Sequence, residues 1–268
     1  MSRLAEAGAA LLGGTLRNAT PLGGGDLSEI LHIVLADGRA AVVKGGPAPQ
    51  TEAAMLRAMA LAGAPASAVL AASDTALVIE ALPASGSLAA AWADLGRTLA
   101  RLHATEGERY GWPVDYAFGP VAIPNTPSDD WPVFWGEQRL RVHVPHISGA
   151  LGRRIEALAA DLPNRLPARP RPALLHGDLW AGNVLADGDR VTGLIDPACY
   201  HGHGEVDLAM LSLFGQPSAA FFDAYGPLDP GHEERRAIYS LWPALVHVRL
   251  FGAGYRSMVE RFLVEAGA

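Results

Sequence analysis

The chain has 268 residues, half of them hydrophobic, and a formal net charge of −7. A chain of this size can bury a core without disulfides or a structural metal. Its acidic balance argues against a nucleic-acid surface, which needs a net basic face, and no nucleic-acid partner is expected. The single cysteine, Cys199, has no partner within the chain, and an unpaired thiol points to a reducing compartment, so the expected location is cytoplasmic. The Ala/Leu-rich start is interrupted by Glu6, and the stretch 58–73 contains Gly63 and Pro65. Neither has the sustained apolar run of a signal peptide or a membrane span, and no membrane partner is expected.

In chain order, residues 3–12 predict a short amphipathic helix, and Thr20–Ser28 (TPLGGGDLS) a glycine-rich turn. Glu29–Leu35 and Ala40–Lys44 predict two strands joined by a tight turn at Asp37-Gly38. Thr51 is the expected N-cap of a helix over Glu52–Ala62. Leu77–Glu80 reads as a buried strand and Ala81–Ser87 as a Pro/Gly linker, which puts a lobe boundary near residue 82. Leu88, Trp92, Leu95, Leu99 and Leu102 recur at helical spacing, so Leu88–His103 predicts a helix. Tyr110–Trp131 reads as an ordered loop, Phe134–Ala159 as a helix interrupted near Pro145, Val191–Ile195 as a strand, and the chain from Val206 onward as mostly helix. The predicted fold class is α+β: a bilobal, protein-kinase-like fold with an antiparallel N-terminal lobe (1–82) and a larger, mainly helical C-terminal lobe (83–268).

The strongest chemical signal is His176–Asn183 (HGDLWAGN), flanked by Leu174-Leu175 and Val184-Leu185 and followed by Asp196 at the end of a strand. Phosphoryl transfer needs one carboxylate to receive the acceptor's hydroxyl proton, and further oxygens to hold Mg²⁺ beside the phosphates. Asp178 fits the first role; Asn183 and Asp196 supply oxygen ligands suited to a hard cation. Any one of them alone would be an ordinary turn or strand-end residue. Their order, downstream of a glycine turn and a strand lysine, is what points to ATP and Mg²⁺. Upstream, Gly23, Gly24 and Gly25 let backbone N–H groups approach phosphates. Lys44 ends its strand where an ammonium can reach the α- and β-phosphates, and Glu52 on the next helix can fix it. Glu80–Leu82 would then be the hinge that offers backbone groups to adenine.

These residues resemble the fructosamine-3-kinase (ketosamine-3-kinase) family, within the aminoglycoside-phosphotransferase-like kinases. The resemblance spans nearly the whole chain: LGGGDLSE at 22–29, LGRTLARLH at 95–103, YGWP at 110–113, DWPVFWGEQRL at 130–140, HGDLWAGNVL at 176–185 and IDPACYHGHGEVDLAML at 195–211. It implies an ATP-dependent kinase for the 3-hydroxyl of ketosamines, the sugar–amine adducts of glycation, with Asp178 as base, Asn183 and Asp196 as Mg²⁺ ligands, and Lys44 and Glu52 as the ATP-positioning pair. Trp180 and His203 are the residues expected at the acceptor. His176 is expected to order the loop by hydrogen bonding, and Asp207 to brace it by accepting backbone N–H bonds. There are departures from the family pattern. Asp26 stands where some members carry a redox-active cysteine, so no disulfide switch is expected there. Cys199 is expected to be a small buried residue. Gly204 stands where an arginine is expected, which leaves the acceptor open. His201 and His203 with Glu205 form only a weak metal pattern. An aminoglycoside, choline-like or amino-alcohol kinase, and a non-catalytic ATP-binding protein, are the alternative readings. The sequence sets no oligomeric state beyond a default expectation of a monomer.

Overall fold

A computed structural model describes residues 2–23 and 28–268. The chain opens with α1 (Arg3–Leu11), capped by the Ser2 hydroxyl, which accepts the Leu4 N–H. An antiparallel sheet follows, built from β1 (Leu16–Pro21), β2 (Ile30–Leu35), β3 (Ala40–Lys44), β4 (Val69–Ala72) and β5 (Leu77–Ile79), in the spatial order β1-β2-β3-β5-β4. Helix α2 (Pro49–Leu61) lies between β3 and β4 in the chain.

Strand periodicity fixes which side chains face which helix. Leu31, Ile33, Ala41, Val43 and Val78 join Ala5 in one apolar layer beneath α1. There the α1 backbone approaches closely: a Cβ on Gly8 would lie 2.9 Å from Val43 Cγ2. The alternate residue Val42 packs with the opposite layer, where α2 contributes Met55, Leu56 and Met59. Lys44, two positions on from Val42, points to that same side and so toward Glu52 on α2.

The rest of the described chain is mainly helical. Helix α3 (Leu88–His103) buries Leu95, Leu99 and Leu102 completely, and truncating any one of them to Ala would cost about 2–5 kcal/mol. Next come the hairpin β6 (Tyr116–Phe118) and β7 (Val121–Ile123), α4 (Trp131–Trp135), a π-helical turn over Gly136–Leu140, a 3-10 turn over Arg141–His146, and α5 (Gly149–Arg165). Strands β8 (Ala173–Leu175) and β11 (Tyr200–Gly202) pair with each other, as do β9 (Val184–Asp187) and β10 (Arg190–Leu194). Helices α6 (Glu205–Leu211), α7 (Ala219–Tyr225), α8 (His232–Phe251) and α9 (Arg256–Glu265) complete the fold. Trp131, Phe134, Trp135, Tyr200, Tyr239 and Trp242 form the aromatic centre of this half. No described helix is long and apolar enough to cross a membrane.

The α+β expectation holds, and Leu88–His103 is a helix with the expected bounds. Four expectations are corrected. Leu16–Pro21 is an edge strand that the glycine-rich turn had hidden; its side chains are all exposed or half-buried, so it carries no apolar alternation. Helix α2 starts at Pro49 after Ala48, and Thr51 lies inside it with no capping role, because proline at a first helical position is itself a start signal. Tyr110–Trp131 contains the β6–β7 hairpin. The span Phe134–Ala159 is two α-helices separated by π and 3-10 turns, with Pro145 in the second of those turns.

Candidate active site

The loop that follows β8 is held by its own backbone chemistry. Gly177 has φ +81, and a Cβ there would lie 2.0 Å from the Ala198 carbonyl oxygen, so only glycine fits between His176 and Asp178. The fully buried Asp207 of α6 accepts the N–H groups of His176 at 2.8 Å and Gly177 at 2.9 Å. It also meets His103 Nε2 at 3.1 Å. Burial alone would raise the Asp207 carboxyl, but the His103 and Gly177 hydrogen bonds outweigh it and hold the group below its usual value. His176 Nε2–H donates to the Ile195 carbonyl at 2.9 Å, while Nδ1 accepts the Asp178 N–H at 3.3 Å. That pairing fixes one neutral tautomer, and burial lowers the ring's pKa. Asp207 thus braces the loop, and His176 ties it to the segment that carries Asp196.

Asn183 Nδ2 donates to the Asp178 carbonyl at 2.8 Å and to Asp178 Oδ2 at 3.2 Å. Burial pushes the Asp178 carboxyl up to about 7; Asn183 opposes the shift, and Asp196 and Asp207 add to it. Asp196 has φ 55, a left-handed conformation uncommon outside glycine and tolerated best by Asn and Asp. Its Oδ1 meets Lys44 Nζ at 2.6 Å, and the same ammonium meets Glu52 Oε1 at 2.7 Å. Burial would lower the Lys44 pKa, but the two carboxylates outweigh it and keep the ammonium charged. Residues far apart in sequence, on β3, α2 and the segment after β10, therefore meet at one buried cation.

These groups line one cavity of about 520 Å³, a size usual for small-molecule sites. Lys44, Glu52, Asp178, Asn183, Asp196 and Trp180 all reach it. The donor set fits a hard cation: among the described residues no hydrogen bond engages Asn183 Oδ1, Asp196 Oδ2 or Asp178 Oδ1. Trp180 is 39% exposed and covers Gly182, where a Cβ would lie 2.3 Å from the indole. It is a cavity aromatic and not a core one.

Other expected residues lie elsewhere. Gly23 is exposed and does not line this cavity; Gly24, Gly25 and Asp26 fall outside the described residues. Glu80 and Leu82 also lie off it. The Glu80 N–H is bound to the Ala68 carbonyl at 2.9 Å, so that one group of the expected hinge is already engaged. His203 is not brought to the cavity. Its ring is buried, and Nδ1 meets the Tyr239 hydroxyl at 2.8 Å beside Trp131. Oxygen or nitrogen atoms of His203, Glu205 and Asp229 lie within 4.8 Å of one another. However, Arg235 already grips both Glu205 oxygens, at 2.7 and 2.5 Å, and a metal ion would have to displace it. Gly204 sits against His103, whose Nδ1 would lie 2.9 Å from an added Cβ, so an arginine has no room there. Cys199 is fully buried.

Sequence reasoning missed two contributors. Tyr116 and Phe118 of the hairpin line the cavity, as do Trp242, Val246, His247 and Phe251 of α8. Burial, followed by the Glu52, Asp196 and Asp178 carboxylates, raises the Tyr116 pKa, so its phenol stays protonated. The helical spacing on α8 was visible, but such a stripe looks the same whether it faces core or cavity.

An antiparallel sheet carrying a Lys–Glu pair, with an Asp–Asn loop and a second Asp on the mainly helical part of the chain, defines a protein-kinase-like fold. A solved structure from Thermobifida fusca, a candidate fructosamine-3-kinase, superposes with a TM-score of 0.90 at 32% identity and covers 98% of both chains. The sequence profile of the fructosamine kinase family matches residues 14–266, and the chain belongs to that family. A candidate ketoamine kinase of Synechocystis sp. is 38% identical over 189 residues, covering 65% of this chain and 62% of that protein. The chloroplastic protein-ribulosamine 3-kinase of Arabidopsis thaliana is 37% identical over 178 residues, covering 62% of this chain and 54% of that protein. The matched stretch therefore spans less than two thirds of either curated relative.

Proposed function

We propose that the chain is an ATP-dependent kinase that phosphorylates the 3-hydroxyl of small ketosamines, as a step in removing glycation adducts. The observation that carries this reading is the meeting of Asp178, Asn183 and Asp196 with the Lys44–Glu52 pair in one cavity of a fructosamine kinase family member. In it, residues 1–82 form the nucleotide lobe and 83–268 the catalytic lobe. Gly23, Gly24 and Gly25 would offer backbone N–H groups to the phosphates, and Glu80–Leu82 would meet adenine through their free backbone groups. Lys44, fixed by Glu52, holds the α- and β-phosphates. Asn183 and Asp196 would hold Mg²⁺, whose charge offsets that of the phosphate oxygens. Asp178 takes the proton of the acceptor hydroxyl as that oxygen bonds to the γ-phosphorus and the bond to ADP breaks. A carboxyl poised near neutral pH suits that task. Trp180 stacks on the acceptor, a ketosamine or other glycated amine met in the cytoplasm by a monomeric enzyme.

The test is a screen of the purified protein with Mg·ATP against fructosamines, ribulosamines, free sugars, aminoglycosides and choline. Phosphate transfer to ketosamines is expected. Transfer confined to an aminoglycoside or choline would replace the substrate reading while leaving the kinase.

A further inference from the structure

The cavity continues past Asp178 into a wall of different character. Helix α8 supplies Trp242, Val246, His247 and Phe251, and Phe214 and Tyr255 line the cavity with them. The rings pack around His247, with centroids at 5.2 Å for Phe214, 5.5 Å for Phe251 and 4.9 Å for Tyr255. Burial lowers the His247 pKa, and its Nδ1–H donates to the Pro243 carbonyl at 2.7 Å, so the ring is neutral at pH 7. Phe214 and Phe251 are nevertheless 49% and 46% exposed. Half-exposed phenyl rings at the open end of a catalytic cavity are apolar surface that a ligand can cover.

Charge is segregated in the same cavity. Among its described lining residues, the formal charges are Lys44, Glu52, Asp178 and Asp196, all at the phosphoryl-transfer end. Lys44 is the one cation, and two carboxylates already engage it. A carboxylate on the far part of an acceptor would find no cation among these wall residues to offset its desolvation.

We propose that the amine part of the acceptor carries an aromatic or aliphatic group seated against Phe214, His247 and Phe251, so that the preferred substrates are ketosamines of apolar amines and not those of free amino acids. This rests on the ketosamine reading above, which places the sugar hydroxyl at Asp178 and leaves the amine substituent to extend along the cavity.

The test compares kcat/KM, with Mg·ATP, for three synthetic fructosamines made from benzylamine, methylamine and glycine. The benzylamine adduct is expected to exceed the methylamine adduct by about tenfold or more, as burial of a phenyl group allows, with the glycine adduct poorest. In the double variant Phe214→Ala/Phe251→Ala the benzyl-to-methyl ratio should fall toward one; Phe251→Leu, which keeps an apolar surface, should retain much of it. Thermal melts of each variant check folding, and the wild-type ranking stands whether or not a variant folds. Equal rates for the benzylamine and methylamine adducts, or a preference for the glycine adduct, would overturn this inference and leave the ketosamine reading intact. Failure to phosphorylate any of the three would overturn both.

Discussion

The two ends of the cavity are built on different principles. At the phosphoryl-transfer end, polar groups hold one another in place: Asp207 takes two backbone N–H groups, His176 spans two segments, and Lys44 bridges two carboxylates. At the end proposed for the acceptor, rings rest on rings, two of them half-exposed, and the His247 hydrogen bond there lies within α8. Hydrogen-bonded networks are costly to leave half-made and so tolerate little change, whereas apolar walls tolerate swaps of similar volume. On the proposed reading, the reaction is fixed by geometry, while the choice of amine is open to substitution along α8.

The contrast can be broken at its polar end first. Asp178→Ala should lower kcat by about a thousandfold, the range for losing a general base, with the circular dichroism spectrum unchanged; a coupled ADP-release assay reads the loss. Asp207→Ala should destabilise the protein by about 3 kcal/mol or more, since it orphans two buried amides and the His103 ring, and a chemical denaturation curve measures it. Lys44→Met should weaken the handling of ATP by roughly 10- to 100-fold, as expected for loss of a charged hydrogen-bonding group, seen in the KM for ATP.

A pH series sharpens the account of Asp178. With its carboxyl near 7, kcat/KM should rise with pH through neutrality and level off above it. The folded value lies above the ordinary 3.8, so the folded state binds more protons between those values and loses stability as pH rises through that window. Asp178→Asn should therefore raise the Tm at pH 8 and change it little at pH 4. The smallest effect belongs to the acceptor end: Trp180→Ala should raise the acceptor KM by about three- to tenfold with kcat largely kept, as for loss of one aromatic contact.

The legibility of the sequence divides along the same line. HGDLWAGN and Asp196 could be read because their chemistry is local and the glycines of the segment are held by close contacts, Gly177 against Ala198 and Gly182 beneath Trp180. The pairing of Lys44 with Glu52 could be read from their order, a strand-end lysine followed by a glutamate on the next helix. The acceptor wall could not, because Trp242, Val246, His247 and Phe251 repeat at the spacing of any buried helix. The β6–β7 hairpin was hidden because three-residue strands around Gly119-Pro120 carry too little alternation to register. His203 misled for the opposite reason: a polar residue in a conspicuous Gly/His run is here a buried partner of Tyr239.

The most direct test is to incubate a fructosamine with Mg·ATP and either the wild-type protein or Asp178→Ala, and to locate the phosphate in the product by phosphorus and carbon NMR. A 3-phosphate is expected with the wild type and essentially none with the variant. Phosphate on another hydroxyl, or undiminished transfer by Asp178→Ala, would contradict it.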